Sequence, residues 1–574
     1  MSDPRAKFVL QMQQDLAAER SNWERRWQLQ AELIRPMRSD FTVTRAEGEE
    51  RTQKLYDSTA LLAQDNLASG LWSQITNAAN VWFSLKHPDE EIDRQRDVRA
   101  WLERASKTML AAFGGSGQRF YAQALEVYRD APTFGTAVFY NEFRAQQADV
   151  YFRALPLHEC FIGANQWHEV DKVIRKFEMT ARQAVQAFSE DAFPANSGIR
   201  RAADKRPFER HSFIHAVLPI DEMEVDKRQK QSGKAYASLW IGVDDAVVLR
   251  ESGYYELPYQ VPRWSQASRG VYGDSQADLA MPDIRMVNTM ARTTLSGAEL
   301  AVKPPLLAPN ESAVRGANRR GLRTGPQSII YGGVTAEGRP LYQPLITGAN
   351  VGLGLEMEEQ RRHAIREAFF FSLLQMVGAP NATATEVLQR EEEKLRLMGP
   401  QLGRLQSEFL DPLIDRVFGI LLREGAFGPE EEIPEPLLEQ NDIAVAYISP
   451  LARAQRVSEA ASADRFVASL GSLASVTGDP SVWDNVDQDA LAQTYGEAYG
   501  IAQSVLVDPE TRDARRQERV QAQQAQQLAA QAPGAARALK DVAEIADAGG
   551  GGPASEPGGR LGGLLGGQGT AANA

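Results

Sequence analysis

Apolar residues recur at helical spacing from residue 5 to residue 34. Phe8, Met12, Leu16, Trp23 and Trp27 share one face there, and charges fill the rest. This pattern predicts an exposed amphipathic helix. A second helix is expected from Ser58 to about Thr76, then helices at 92–113 and 118–131 separated by the loop FGGSGQ. Strand-like runs follow: TAVFYNEF, DVYFRAL, HECFIGA, SFIHAVLPI, ASLWIGV, AVVLRES and YYELPYQVP. They are rich in Tyr, Val, Phe and Ile and bounded by turn residues, which predicts antiparallel pairing. One helix, 180–188, interrupts them. Residues 1–262 therefore read as an α+β region.

After residue 262 the pattern changes. Pro282 suits the first turn of a helix whose face is Ile284, Val287, Ala291, Leu295 and Ala298, with Lys303-Pro304-Pro305 as its stop. A helix of similar length, roughly 30 Å, is expected from Leu355 to Met376. Two matched helices around residues 303–350 suggest an antiparallel pair carrying a small module at its tip. Gly378 and Pro380 then break the chain, and Thr383 with Glu386 forms a capping-box pattern. Leu395, Met398, Leu402, Leu405, Phe409, Leu413, Val417 and Ile420 mark a long helix that Pro400 and Pro412 should bend. Short helices are expected over 451–505. An Ala/Gln/Arg-rich helix follows from about 506, and a flexible Gly-rich tail from Gly549.

Charge sharpens this layout. The 574-residue chain carries a formal −13, which argues against a general nucleic-acid coat. Within 303–350, however, Lys303, Arg315, Arg319, Arg320, Arg323 and Arg339 face only Glu311 and Glu337, a local +4 that marks a contact surface. Cys160 is the single cysteine, so an internal disulfide or cysteine metal cluster is excluded and a reducing compartment fits. The N-terminus reads as no signal peptide, and the longest apolar run, 368–380, is too short to cross a bilayer.

Chemical candidates are weak. Ser275, in Gly273-Asp274-Ser275-Gln276-Ala277, superficially resembles a nucleophile elbow. Only His363 follows it, and no alternating βα pattern surrounds it, so a turn that starts a helix is the better reading. His211 and His215 are spaced like metal ligands, but on a strand and without a carboxylate cluster. Glu391, Glu392 and Glu393 read as a solvated helix face. Gly114-Gly115-Ser116-Gly117 lacks the lysine and Ser/Thr of a phosphate loop, a motif that appears nowhere in the chain. No catalytic activity, cofactor or metal is expected.

Several strings, in order, resemble the portal, or head-to-tail connector, proteins of short-tailed bacteriophages. They are residues 55–85, RDAPTFGTAVFYNEF (129–143), 270–309 including GVYGDSQADLAMPD, 383–421 and SPLARAQR (449–456). The resemblance implies a ring, normally of twelve subunits, at one capsid vertex, with double-stranded DNA passing through it. It implies a wing (1–262, joined by the long helix 385–425), a joint and first stem helix (263–302), a clip (303–350) and a second stem helix (351–376). A tunnel loop (377–384), a crown (426–505), a C-terminal helix (506–548) and the tail (549–574) complete the layout. Tyr272, Gly273, Asp274 and Ser275 would form the wing–stem joint. Arg315, Arg319, Arg320 and Arg323 would dock partners from the clip. Val377, Gly378, Ala379, Pro380, Asn381, Ala382 and Thr383 would face DNA. Implied partners are major capsid and scaffold proteins, the terminase during packaging and a tail adaptor afterwards, with no membrane. The implied location is the virion, after assembly in the host cytoplasm. The competing readings are another capsid-assembly or scaffold-type protein, or a packaging ATPase, against which the missing phosphate loop speaks.

Overall fold

The structure, a computed structural model, describes residues 3–46, 48–93, 95–223, 233–266, 270–302, 306–307, 337, 339–340, 343–344, 351–372, 397–429, 433–440, 444–447, 463–473, 475, 486–487, 491–492, 495, 507 and 511–524. It mixes helix and sheet in one compact unit, residues 1–500, followed by a second, 501–574, in which residues 511–524 are helical.

Helix α1 (Pro4–Ile34) is a spine, not the exposed helix its charges suggest. Ala6 and Val9 pack in one core, Trp27 and Ala31 in a second, and Leu33 and Ile34 in a third. Between them the buried contacts are polar. Arg20 donates to the carbonyls of Cys160 (2.6 Å) and His158 (2.8 Å) and lies 3.7 Å over the Phe161 ring. A buried charge with this many acceptors is tolerated, which is why the helix needs so few apolar residues. Phe8, expected on the apolar face, stays exposed.

Helix α2 (Thr59–Ile75) starts and ends within a residue of expectation, and a single turn, α3 (Glu90–Asp93), follows strand β1 (Phe83–Lys86). The two helices expected at 92–113 and 118–131 are one, α4 (Arg96–Phe134). Each mid-helix glycine costs about 1 kcal/mol. Phe113 and Phe120, two turns apart on one face, outweigh that: both are buried, 4.6 Å apart, in a cluster with Trp82 and Phe152. The glycine run is therefore inside a helix and is no phosphate loop.

The strands form two main antiparallel sheets. Strand β2 (Val138–Arg144) is central in a three-stranded sheet, flanked by β3 (Asp149–Leu155) and β9 (Tyr259–Gln260), the latter only two residues of the expected YYELPYQVP run. The larger sheet has five strands in the order β4 (Cys160–Ala164), β5 (Val170–Thr180), β6 (Arg210–Pro219), β7 (Tyr236–Gly242) and β8 (Val247–Tyr254). The sequence pattern did not predict β5. Its charges look like loop residues, but Arg175 pairs with Glu159 (2.8 Å) and Lys172 with Glu222 (2.7 Å). Two eight-residue helices, α5 (Ala181–Phe188) and α6 (Gly198–Lys205), cover Phe213 on one side of this sheet. Strand β1 pairs with β12 (Ala444–Tyr447).

Helix α7 (Gln276–Val302) begins early enough that Pro282, expected in its first turn, falls in its second. Pro282 is on the exposed side, where water can take the carbonyl it leaves unbonded. Helix α8 (Val351–Ala368) runs antiparallel to it, with Gln276 touching Ala368 and Thr294 touching Glu358. Its continuous run ends at Ala368, just after which Phe370 takes φ +57°; residues 371–372 are helical again, and the expected end at Met376 lies outside the described residues. Between the two helices, a short pairing of β10 (Leu306–Leu307) with β11 (Gln343–Pro344) closes the base of the insertion. Residues 397–405 are helical, Gln406–Leu410 form a π turn, and α9 (Asp411–Arg423) follows with Pro412 at its start. The widened turn accommodates the missing proline N–H in place of a sharp kink. A last helix, α10 (Glu435–Gln440), brings Leu437 into the same large core. Thus residues 433–440 and 444–447, in the stretch the resemblance assigns to the crown, pack on the α+β body.

Candidate functional site

A tightly constrained place among the described residues is where the α+β body hands over to the α7–α8 pair. Gly135 ends α4 with φ +79° and turns the chain into β2. Residues 263–265 and 273–275 meet it there. The Trp264 N–H donates to the Gly135 carbonyl (2.8 Å), the Asp274 N–H to the Ser265 carbonyl (2.7 Å) and the Gly273 N–H to the Thr136 hydroxyl (2.9 Å). A methyl group on Gly135 would stand 2.2 Å from the Gly273 oxygen, and one on Gly273 would stand 2.3 Å from the Gly135 oxygen. Two backbones touch, and only glycine allows it.

Ser275 caps α7. Its hydroxyl accepts from the Asp278 N–H (3.0 Å) and donates to Asp278 Oδ2 (2.7 Å), which also accepts from the Ser275 N–H (3.0 Å). This is a reciprocal cap, with aspartate in place of glutamate. Gln30 of α1 donates to Ser275 Oγ (2.9 Å) and to Asp278 Oδ1 (2.8 Å). The hydroxyl is fully engaged and no histidine is among its partners, so the helix-start reading holds and the nucleophile reading fails. Ser275→Ala is expected to lower stability by about 1 kcal/mol, read as a small fall in the urea midpoint with the assembly state unchanged.

Tyr272 is buried between Trp23 (5.9 Å) and Trp27 (5.0 Å). Burial raises its phenol pKa and nearby Arg20 offsets part of that. Asp274 faces Arg26 at 3.5 Å. Arg263 binds Glu408 of the π turn through its backbone N–H (2.8 Å), Nε (3.1 Å) and NH2 (2.9 Å), and its NH1 donates to the His168 carbonyl (2.8 Å). Gln276 accepts from Trp264 Nε1 (3.2 Å) and donates to the Ala368 carbonyl (2.5 Å), which ties the end of α8 to the start of α7. Further along, Arg361 pairs with Asp283 (3.0 Å) and Arg362 with Asp57 (2.8 Å). Burial raises the Asp57 pKa, but hydrogen bonds from Thr59 and Arg362 more than offset it, so the carboxyl sits below its ordinary range. The junction is a stiff mechanical joint, and its chemistry is hydrogen bonding and ion pairing.

The histidine pair does not form a metal site. His215 is buried, bonded to Tyr259 (2.5 Å) and Ser238 (3.0 Å), whereas His211 meets Asp244 (3.0 Å). Among the described residues no group of three His, Cys, Asp or Glu could hold a metal ion, and no helix is long and apolar enough to cross a membrane. Burial pushes the Cys160 thiol up to about 12, so it is unreactive.

Residues 6–506 match the bacteriophage head to tail connecting protein family. The chain belongs to that family. This connector is 30% identical over 526 residues to the probable portal protein of Bordetella phage BPP-1, covering 90% of this chain and 91% of that protein. It is 28% identical over 536 residues to the portal protein of Salmonella phage epsilon15, covering 91% and 92%.

Of the residues expected to matter, Tyr272, Gly273, Asp274 and Ser275 come together in the joint. Arg315, Arg319, Arg320 and Arg323 lie outside the described residues, as do Val377, Gly378, Ala379, Pro380, Asn381, Ala382 and Thr383. The joint also uses Gly135, Gln30, Arg263 and Glu408, which sequence reasoning missed. Gly135 carried a signal, a glycine directly after a helical run and before a strand. Glu408 carried none.

Proposed function

We propose that this chain is the ring-forming portal subunit of a phage head, set at one capsid vertex, through which double-stranded DNA is packaged and later ejected. One observation carries the ring. Helix α7 buries Ile284 and Val287 within the subunit yet exposes Leu279, Met286, Leu295, Leu300 and Val302. Leu279, Met286 and Leu300 recur in steps of seven and fourteen, one stripe along the helix. Exposed apolar side chains along one line of a helix, broken only by Thr293, favour a cover, and a neighbouring copy supplies one through a heterologous contact that closes by rotation. Leu353, Leu355 and Met357 on α8 are also exposed.

In this reading the wing is 1–262 with 385–425, the stem is 263–302 and 351–376, the clip 303–350, the tunnel loop 377–384 and the crown 426–505. Residues 506–548 and 549–574 extend beyond it. A ring of twelve copies, each at −13, is acidic and lets DNA slide instead of gripping it. Arg315, Arg319, Arg320 and Arg323 dock the terminase and then the tail adaptor. Capsid and scaffold proteins meet the ring as the head assembles in the host cytoplasm. The tunnel loop, with no Lys or Arg, touches DNA weakly and without sequence preference.

Negative-stain images and solution mass of the purified chain test this. Rings with a central hole are expected, and Leu279→Glu with Met286→Glu should leave folded monomers. A monomeric wild type, or rings unaffected by the double substitution, would overturn the assignment of the stripe.

A further inference from the structure

A cavity of about 610 Å³ opens on the five-stranded sheet, on the face opposite the one that receives Ala6 and Val9 of α1. Strand alternation aims Arg175, Phe177 and Met179 of β5 to this side, whereas Ile174 packs in the α1 core. Trp240 and Arg250 complete the floor, Gln183 and Phe188 of α5 close one wall, and Arg153 of β3 and Arg210 stand at the rim.

Its charge is unbalanced. Arg153, Arg175, Arg210 and Arg250 line it with Glu159 and Glu178; Arg210 has a partner of its own, so the imbalance rests on Arg153 and Arg250. Glu159 is occupied by Arg175 at 2.8 Å. Arg153 and Arg250 form no salt bridge among the described residues. Arg250 is shelved over the Trp240 ring at 4.9 Å and Phe188 at 5.7 Å, which fixes its guanidinium while leaving its N–H edge unpaired. The Trp240 Nε1 is buried with no hydrogen-bond partner. A buried indole N–H normally finds an acceptor, so this unpaired donor is a second, uncharged handle for an acceptor group. Burial first, and then the fields of Arg175 and Arg250, hold His215, in the same cross-strand row between Arg175 and Trp240, well below the ordinary imidazole range.

The ring geometry limits the ligand. Trp240 has His215 stacked at 4.0 Å and Arg250 at 4.9 Å, and Arg175 covers Phe177 at 4.2 Å. These aromatic faces are taken, so nucleobases find no stacking platform here. What remains is a set of N–H donors around a volume far larger than one inorganic anion needs. We propose that this cavity docks a short acidic polypeptide segment of a partner protein, two or more carboxylates meeting Arg153 and Arg250 and an acceptor meeting the Trp240 N–H. The site lies on the wing sheet and goes beyond the ring-forming stripe.

The full chain, titrated by calorimetry with hexaglutamate, inorganic phosphate and a thymidine oligonucleotide, tests this. Hexaglutamate should bind saturably and weaken as salt rises. Arg153→Gln with Arg250→Gln should weaken it at least tenfold and Trp240→Phe severalfold, with the melting temperature unchanged. Arg153→Glu alone, at the exposed rim, serves if the double variant does not fold. No saturable hexaglutamate binding, equal affinity in the variants, or phosphate or the oligonucleotide binding as tightly as hexaglutamate would each overturn the proposal. Ring formation, measured in parallel, reports separately on the portal reading.

Discussion

Gly135→Ala is expected to destabilise the folded chain by more than about 4 kcal/mol, near the upper end for single substitutions. Two costs combine. A non-glycine residue at φ +79° costs roughly 1–2 kcal/mol. The added methyl would also stand 2.2 Å from the Gly273 carbonyl oxygen, and 2.8 Å from the Asp274 carbonyl carbon. These are backbone atoms, and neither can swing aside as a side-chain tip could. Relief requires residues 263–265 and 273–275 to lift off Gly135 and Thr136, which forfeits the bonds from Trp264 and Gly273. The start of α7 would lose its seat, so ring assembly should fail along with stability. Gly114→Ala is the control. It lies mid-α4 with open space where the methyl goes, and should stabilise by up to about 1 kcal/mol. Equal urea midpoints for the two variants would show that the backbone contact at the joint does not exist.

The same two glycine sites mark where the sequence was legible and where it misled. Gly-Gly-Ser-Gly inside α4 carries the composition of a loop. Its helix survives because Phe113 and Phe120 project onto one buried aromatic cluster, a tertiary effect that local propensity cannot register. Strand β5 was hidden for a related reason: Lys172 and Arg175 look solvated until Glu222 and Glu159 are placed beside them. The same holds for α1, whose buried Arg20 finds its carbonyl acceptors about 140 residues away. What could be read was local or periodic: the cap at Ser275, the turn at Gly273, the antiparallel pair and the proline-disturbed helix. Contacts between distant charged residues leave no periodicity. The joint therefore showed its turn in the sequence, and its clamps only in three dimensions.

Glu408→Gln should prove the second most damaging change, at about 3 kcal/mol, because it strands a charge that has been taken out of water. The Arg263 side chain is only 6% exposed, and Glu408 is its carboxylate partner, at 2.9 Å. Glutamine keeps an acceptor for the Arg263 backbone N–H, so most of the loss reports the missing charge. Arg404, 3.3 Å from the same carboxylate, is more exposed and contributes less. The pair spans three parts of the chain: the joint, the hairpin tip at His168 and the π turn that leads into α9. Breaking it should loosen the π turn first, since that turn has poorer helical bonding than α9. Amide exchange at residues 406–410 is therefore expected to speed up more than exchange at 413–421, where Leu413, Val417 and Leu421 remain packed. Replacing both partners, Arg263→Met with Glu408→Met, should recover part of the loss, because two apolar groups leave no uncompensated charge. A double variant as unstable as the sum of its single variants would show that the two residues act independently, and the clamp between joint and long helix would have to be abandoned.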